Sequence, residues 1–548
     1  MRKAIFFGAL LISFTSYSQQ KTDVIQQAMR DELDRNMRDL KADGFDKPFF
    51  INYAIVDQTV TDIIAVLGAL VSSSEFHLRD PESTRILVGD YEFNDESLED
   101  NLFSRPTGAD ISMPIDDDYM GIRRSLWVST DNLYRTASQQ FSKNKDILKE
   151  QNRPLSEIPH RRFAKVPPSH VMIDAPEMKF DKAATEQYIR KLSAVFAAYT
   201  DLEASGVSFS YRRGYRYQAN SEGAMNKIPF NLVIINVFAS FRTSDGEFIT
   251  ENKNYYLPTT ELPPFEKIQQ DIKAVAETII AASKASKLQE EYIGPVLFLD
   301  ADVAATFWNQ FLSFESGLRH DNNIPPLKGF SFEPQSGIET KIGKSIFAEG
   351  MTVKALPKLK KYNDKLLLGS YEVDREGVIP EDEIVLIENG VLRSLMNDRT
   401  LTKPNQTANG LSTGPGVLSI AFKTTTPRAD MKAKLIAEAK KQGLDYALMT
   451  RNIGDGMRGG TINVYRVYVD DGREELVRQA TMDVLSRRDF RKILAASKET
   501  MVHNFLANER EYTTIICPEA ILVEEVEFKP SEFPTYKEEV YVPSPLKK

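Results

Sequence analysis

The five histidines of this chain, His77, His160, His170, His320 and His503, are the first place to look for metal chemistry. A hydrolytic zinc site needs three protein ligands and an open position for water. The compact way to supply two of them is a pair of histidines one turn apart on a helix. No two of the five have that spacing, and His160 and His170 stand ten residues apart across a proline-rich connection. Each therefore reads as a surface or hydrogen-bonded side chain. Nucleophilic chemistry has no better footing. There is no G-x-S-x-G elbow, and the single cysteine, Cys517, sits in the apolar run TTIICPEAILVEEVEF, where a buried, inert thiol is expected. Two further patterns invite a chemical reading. Gly454, Gly456 and Gly459 have the G-x-G-x-x-G spacing of a pyrophosphate loop, but they run into TINVYRVYV, which alternates like a strand rather than opening a helix. The triplet Asp116-Asp117-Asp118 precedes a helical pattern, where carboxylates complement the helix dipole. No G-x-x-x-x-G-K-[ST] loop occurs.

The elements that would position such residues follow from periodicity. DVIQQAMRDELDRNMRDLK repeats apolar residues at helical spacing through Val24, Ile25, Met29, Leu33, Met37 and Leu40. FFINYAIVDQTVTDIIAVLGALVSS and STRILVGDYEF have the β-branched and aromatic enrichment of sheet. A second helix is expected between about 116 and 150, through Ile122, Leu126, Leu133, Ala137 and Phe141. NRPLSEIPHRRFAKVPPSH, with four prolines, reads as an extended connection. Beyond it come the helix AATEQYIRKLSAVFAAY and successive antiparallel strands with a turn at Ser244-Asp245-Gly246. A helix opened by Pro263 and Pro264 follows. The remainder is mostly strand, with helices expected near 302–317, 428–442 and 488–507. Helices and strands are grouped rather than alternating, so the fold class is α+β.

Composition bounds the setting. Met1 to about residue 19 has the form of a secretory signal peptide: Arg2 and Lys3, an apolar run from Ala4 to Phe14, then small and polar residues to Ser18. That run is too short to span a bilayer, so an exported protein, periplasmic or secreted, with no membrane insertion after signal removal is expected. At 548 residues, 42% hydrophobic and 27% charged, the chain is long enough for two domains. The division expected is 20–290 and 291–548, the second rich in antiparallel strand. A net charge of −9 argues against nucleic acid as partner, and the lone basic run KALPKLKKYNDK reads as a solvated loop or edge strand.

Several stretches together resemble the TldD/PmbA family, also called modulator of DNA gyrase. STRILVGDYEF is similar to its N-terminal strand, and GPVLFLDADVAATFWNQFLSFESG to the strand and helix that open its C-terminal domain. EIVLIENGVLRSLMND is similar to its hairpin, and TTIICPEAILVEEVEF to its closing strands. The resemblance implies a metallopeptidase-related protein acting on peptides or unfolded polypeptide between subunits. Its catalytic branch carries His-Glu-x-x-x-His on the helix after the GPVLF-type strand. Here Asn309 and Gln310 fall where the first histidine and the glutamate would be, Phe314 falls where the second histidine would be, and no histidine lies between Val296 and Arg319. The match is thus to the zinc-less, TldE-like branch: a non-catalytic subunit with no cofactor, forming a homo-oligomer or a heteromer with a catalytic TldD-like subunit. Two alternatives remain open. One is an active peptidase holding zinc through non-standard ligands, for which His320, Asp321 and His503 are the candidates. The other is a structural or peptide-binding protein with no catalytic partner.

Overall fold

The computed structural model describes residues 23–98, 111–243, 246–312, 317–322, 324, 337–451, 460–508, 511–531 and 545–546. The stretch read as a signal peptide lies outside them, as do Ser244, Asp245, Phe314, Gly454, Gly456 and Gly459.

Helix α1 (Val24–Asp39) is capped by Asp23, whose carboxylate accepts from the backbone N–H groups of Ile25 and Gln26, and it buries Ile25, Met29 and Leu33 as its periodicity requires. Strands β1 (Pro48–Val66) and β2 (Ala69–Val88) form one long hairpin. Its two-residue turn, Leu67 and Gly68, has both residues at positive φ, the conformation that matches strand twist. Helix α2 (Tyr119–Gln151) begins on Asp118, which accepts from the Gly121 N–H, so the last residue of the acidic triplet is its cap. Strand β3 (Arg162–Phe163) lies within the proline-rich connection, and α3 (Lys182–Ala194) follows it. Strands β4 (Ala204–Asn220), β5 (Met225–Arg242) and β6 (Phe248–Leu257) complete a five-stranded antiparallel sheet ordered β2-β1-β4-β5-β6. Helix α4 (Phe265–Lys284) closes this half.

One face of that sheet carries all four helices. On β1, Ile51, Tyr53 and Ile55 pack with α1 and α2, and Ile63 and Ala65 further along the same face pack with α3 and α4. This is the period-2 rule applied over a long strand.

The second half begins with β7 (Ser286–Lys287), β8 (Tyr292–Leu299) and α5 (Ala301–Leu312). Next come β9 (Met351–Ala355), the small basic hairpin β10 (Lys361–Tyr362) and β11 (Lys365–Leu366), then β12 (Ile384–Glu388), β13 (Val391–Leu392), β14 (Thr400–Leu401) and β15 (Val417–Phe422). After α6 (Met431–Lys441) run β16 (Tyr446–Thr450), β17 (Gly460–Tyr468) and β18 (Glu474–Met482). The short helix α7 (Arg487–Arg491) precedes β19 (Ile493–Ala496), β20 (Thr500–Asn508), β21 (Glu511–Pro518) and β22 (Ala520–Pro530). A six-stranded sheet runs β13-β12-β9-β15-β21-β20. A seven-stranded sheet runs β19-β22-β8-β16-β17-β18-β7, and a further β18–β22 pairing closes five of its strands into a ring. The class is α+β, and antiparallel pairings dominate.

The expected helix at 488–507 is corrected by the structure. A capping box between Ser486 and Asp489 starts a helix, but it ends at Arg491, and the following residues pair as strands with β22 and β21. Sheet partners distant in sequence outweigh the local helix preference of Leu, Ala and Lys.

The halves are joined by buried charge. Arg399, fully buried, donates to the Ala164 carbonyl at 2.6 Å and pairs with Glu222 at 2.8 Å, its guanidinium 4.1 Å from the Phe163 ring centroid and 4.9 Å from that of Phe50. Arg85 of β2 pairs with Glu96 at 2.5 Å and with Glu376 at 2.6 Å, and Glu376 also accepts the Arg399 N–H. Removing one member strands a buried charge. Arg399→Met should lower unfolding free energy by about 3–5 kcal/mol in urea titration, and adding Glu222→Gln should restore part of that loss. Equal stability of Arg399→Met and wild type would show that the pair carries no weight.

Candidate functional site

The helix that should carry zinc chemistry is α5. Strand β8 delivers it: Val296, Leu297 and Phe298 are buried, and the chain turns at Asp300, whose φ is 55°. The Asp300 N–H donates to the Glu519 carbonyl and its own carbonyl accepts from Val303, so the first turn of α5 is tied to β22. Phe307 and Phe311 then stack at 5.8 Å, and each lies 5.7 Å from Phe490. Phe311 also meets Phe347 at 5.5 Å, and Trp308 lies 4.9 Å from Phe505. The inward face of the helix is an aromatic core.

Gln310 is buried on the same helix. It has no solvent exposure, and neither its amide oxygen nor its amide nitrogen has a hydrogen-bond partner. An orphaned buried amide costs about 1–3 kcal/mol. Asn309 beside it is partly exposed and makes polar contact. Zinc does not fit this donor set: an asparagine and a sealed glutamine stand where two histidines and a glutamate would have to begin. An amide cannot take a proton from metal-bound water. Among the described residues no three His, Cys, Asp or Glu side chains gather as a metal site.

The other candidates are held elsewhere. His320 Nδ1 lies 2.6 Å from Glu339 Oε1 and 2.7 Å from Gln406 Nε2, and the Asp321 N–H donates to the same Glu339 oxygen at 2.9 Å. Burial alone would raise the Glu339 carboxyl, but hydrogen bonds from His320 and Lys403 outweigh it and hold the group near 2. His503 packs on Phe505 at 4.4 Å, on β20. His320, Asp321 and His503 do not form a ligand set. His77 Nε2 meets Asp57 at 2.9 Å, and His160 Nδ1 lies 2.7 Å from the Ile158 carbonyl. Cys517 is fully buried, and burial pushes its thiol up.

One group near α5 escaped sequence reasoning. Glu251, on β6, accepts from Asn463 Nδ2 of β17 at 3.3 Å, and the carboxylate of Asp302 in the first turn of α5 lies near it. Burial, reinforced by Asp302 and opposed by the Asn463 hydrogen bond, pushes the Glu251 carboxyl up to about 7. Three elements distant in sequence make this site, and no local pattern announces it.

With fold and site in view, the class is that of the two-part α+β proteins whose second half opens with a strand, helix α5 and mixed sheets. Residues 295–530 match the family described as PmbA/TldA metallopeptidase C-terminal domain. No curated protein matches it. Among solved structures it is similar to a candidate modulator of a DNA gyrase from Thermotoga maritima, at 14% identity and a TM-score of 0.55, covering 91% of this chain and 100% of that one. TldE from Thermococcus kodakarensis is 13% identical with a TM-score of 0.54, over 91% of this chain and 99% of its own. A candidate modulator of DNA gyrase from Bacteroides thetaiotaomicron is 11% identical with a TM-score of 0.57, over 93% and 98%. At such identities these likenesses speak for the fold alone.

Two outcomes follow. Replacing Gln310 by Met removes the orphaned amide at nearly constant volume and should raise stability by about 1–3 kcal/mol, while Gln310→Glu should lower it. A destabilised Met variant would mean the amide is satisfied. For Glu251, the folded carboxyl lies above its ordinary 4.5, so between there and about 7 the folded chain keeps a proton that the unfolded chain has lost. Stability therefore falls as pH rises through that window. Glu251→Gln should match wild type near pH 4 and exceed it by about 3 kcal/mol near pH 8 in chemical denaturation. Parallel pH profiles would refute the shift.

Proposed function

We propose that this chain is an exported, non-catalytic member of the PmbA/TldD family that binds extended peptide or scaffolds a peptidase assembly. In this reading 20–290 and 291–548 are its two domains, and the mature protein is periplasmic or secreted. The match of residues 295–530 to a PmbA/TldA metallopeptidase C-terminal domain supports the metallopeptidase relationship. The observation that carries the rest is Gln310: at the position of the family's glutamate, by the resemblance, stands a fully buried amide with no hydrogen-bond partner. Peptide recognition through backbone hydrogen bonds needs no metal and survives that loss. Partners in this reading are unfolded polypeptide and either further copies or a catalytic TldD-like subunit. No helix among the described residues is long and apolar enough to cross a membrane.

The test uses mature protein purified without chelators. Elemental analysis should find zinc far below one per chain. Fluorescein-labelled, unfolded casein should bind saturably by anisotropy without cleavage that EDTA abolishes. Near-stoichiometric zinc together with EDTA-sensitive hydrolysis would overturn the reading, and so would the absence of any polypeptide or subunit binding.

A further inference from the structure

Along β6 the first half of the chain meets the second, and two carboxylates four residues apart make that contact in opposite ways. Glu247, immediately before β6, is buried between cations: one carboxylate oxygen lies 3.0 Å from Lys287 Nζ of β7 and 3.0 Å from a guanidinium nitrogen of Arg478 on β18. Opposite charges meet there, and parting them would strand buried ions.

Glu251 meets an amide and an acid instead. Asn463 Nδ2 of β17 donates to it at 3.3 Å, and the Asp302 carboxylate in the first turn of α5 acts on it by repulsion. Asp302 and Thr306 are both buried one turn apart on α5, with the Thr306 hydroxyl donating to the Asp302 carbonyl at 2.7 Å. Lys253, two residues further along β6, pairs with Asp271 of α4 at 3.1 Å. While Glu251 keeps its proton, this end of the contact holds a single charge. Once it ionises, two carboxylates face each other out of water, and parting them lets water in to both.

We propose that the contact of β6 with α5 and β17 is a proton-operated seam: it is closed while Glu251 is protonated, and it parts locally when Glu251 ionises, turning about the Glu247 ion pairs. The device lies within one chain and needs neither peptide nor a second subunit, so it stands or falls apart from the role proposed above.

The sign follows from the carboxyl itself. Burial, reinforced by Asp302, raises it to about 7 in the closed seam from its ordinary 4.5, so opening releases a proton and is favoured as pH rises through that window. Because Cys517 is buried, Thr306→Cys places a reporter thiol on α5 one turn from Asp302. Its iodoacetamide labelling in the mature protein, divided by that of free N-acetylcysteine at each pH, should rise about tenfold or more between pH 5 and pH 7 and level off above about pH 8. Adding Glu251→Gln should abolish the rise. Ala305→Cys, buried one residue earlier, serves as a second reporter, and Ser129→Cys, buried in α2, reports unfolding of the whole chain and should show no such rise. Labelling on α5 that does not change with pH, a rise that survives Glu251→Gln, or an equal rise at Ser129→Cys would overturn the proposal.

Discussion

The arrangement of the two halves depends on buried charges paired across their boundary. Arg399 reaches across to Glu222 and the Ala164 carbonyl, and Arg85 reaches back to Glu376, with Phe163 packed against both guanidinium groups. Tyr91 adds a hydrogen bond to Glu222 at 2.8 Å. Burial and the neighbouring Asp398 raise the Glu376 carboxyl, while Arg85 and Arg399 oppose them. Any sliding of one half over the other would part Arg399 from Glu222 and Arg85 from Glu376 while they stay desolvated, which is costlier than losing apolar contact. The proline-rich connection runs through the same region. Its β3 pairs with β14, Ser169 donates to the Gly377 carbonyl, and residues 171–173 hydrogen-bond to Lys227.

This rigid frame sets the surroundings of α5. The helix is tied at its start to β22, stacked along its length on Phe490 and Phe347, and flanked at its first turn by Glu251 of the other half. Two polar features of this site stand under strain from burial. One is the sealed Gln310 amide, and the other is Glu251, where burial, with repulsion from Asp302, keeps a proton on the carboxyl up to about pH 7. Both are energetically unfavourable positions for polar groups, and both lie on or against the helix that the family resemblance singles out.

Much of the architecture was legible because it rests on local rules. The helices at α1, α2, α3, α4 and α6 follow from 3.6-residue periodicity and from caps such as Asp23 and Asp118. The EIVLIENGVLRSLMND hairpin follows from Asn389-Gly390, both at positive φ. The misread segment after Ser486 fails for the opposite reason: its strands exist only because β21 and β22 are there to receive them. The candidate site was legible in part. Asn309 and Gln310 were placed on α5 by strand-then-helix order, whereas the engagement of His320 by Glu339 and Gln406 joins residues up to 86 positions apart.

By itself the sequence determined which side chains are available: five histidines without ligand spacing, no histidine between Val296 and Arg319, and one cysteine in an apolar strand. Covalent order and side-chain chemistry are local properties, so these conclusions need no coordinates. Only the tertiary structure decided that Gln310 is sealed, that Glu251 meets Asp302 and that Arg399 bridges the halves. Burial and proximity between distant segments are set by how sheets and helices pack, and no run of neighbouring residues encodes them.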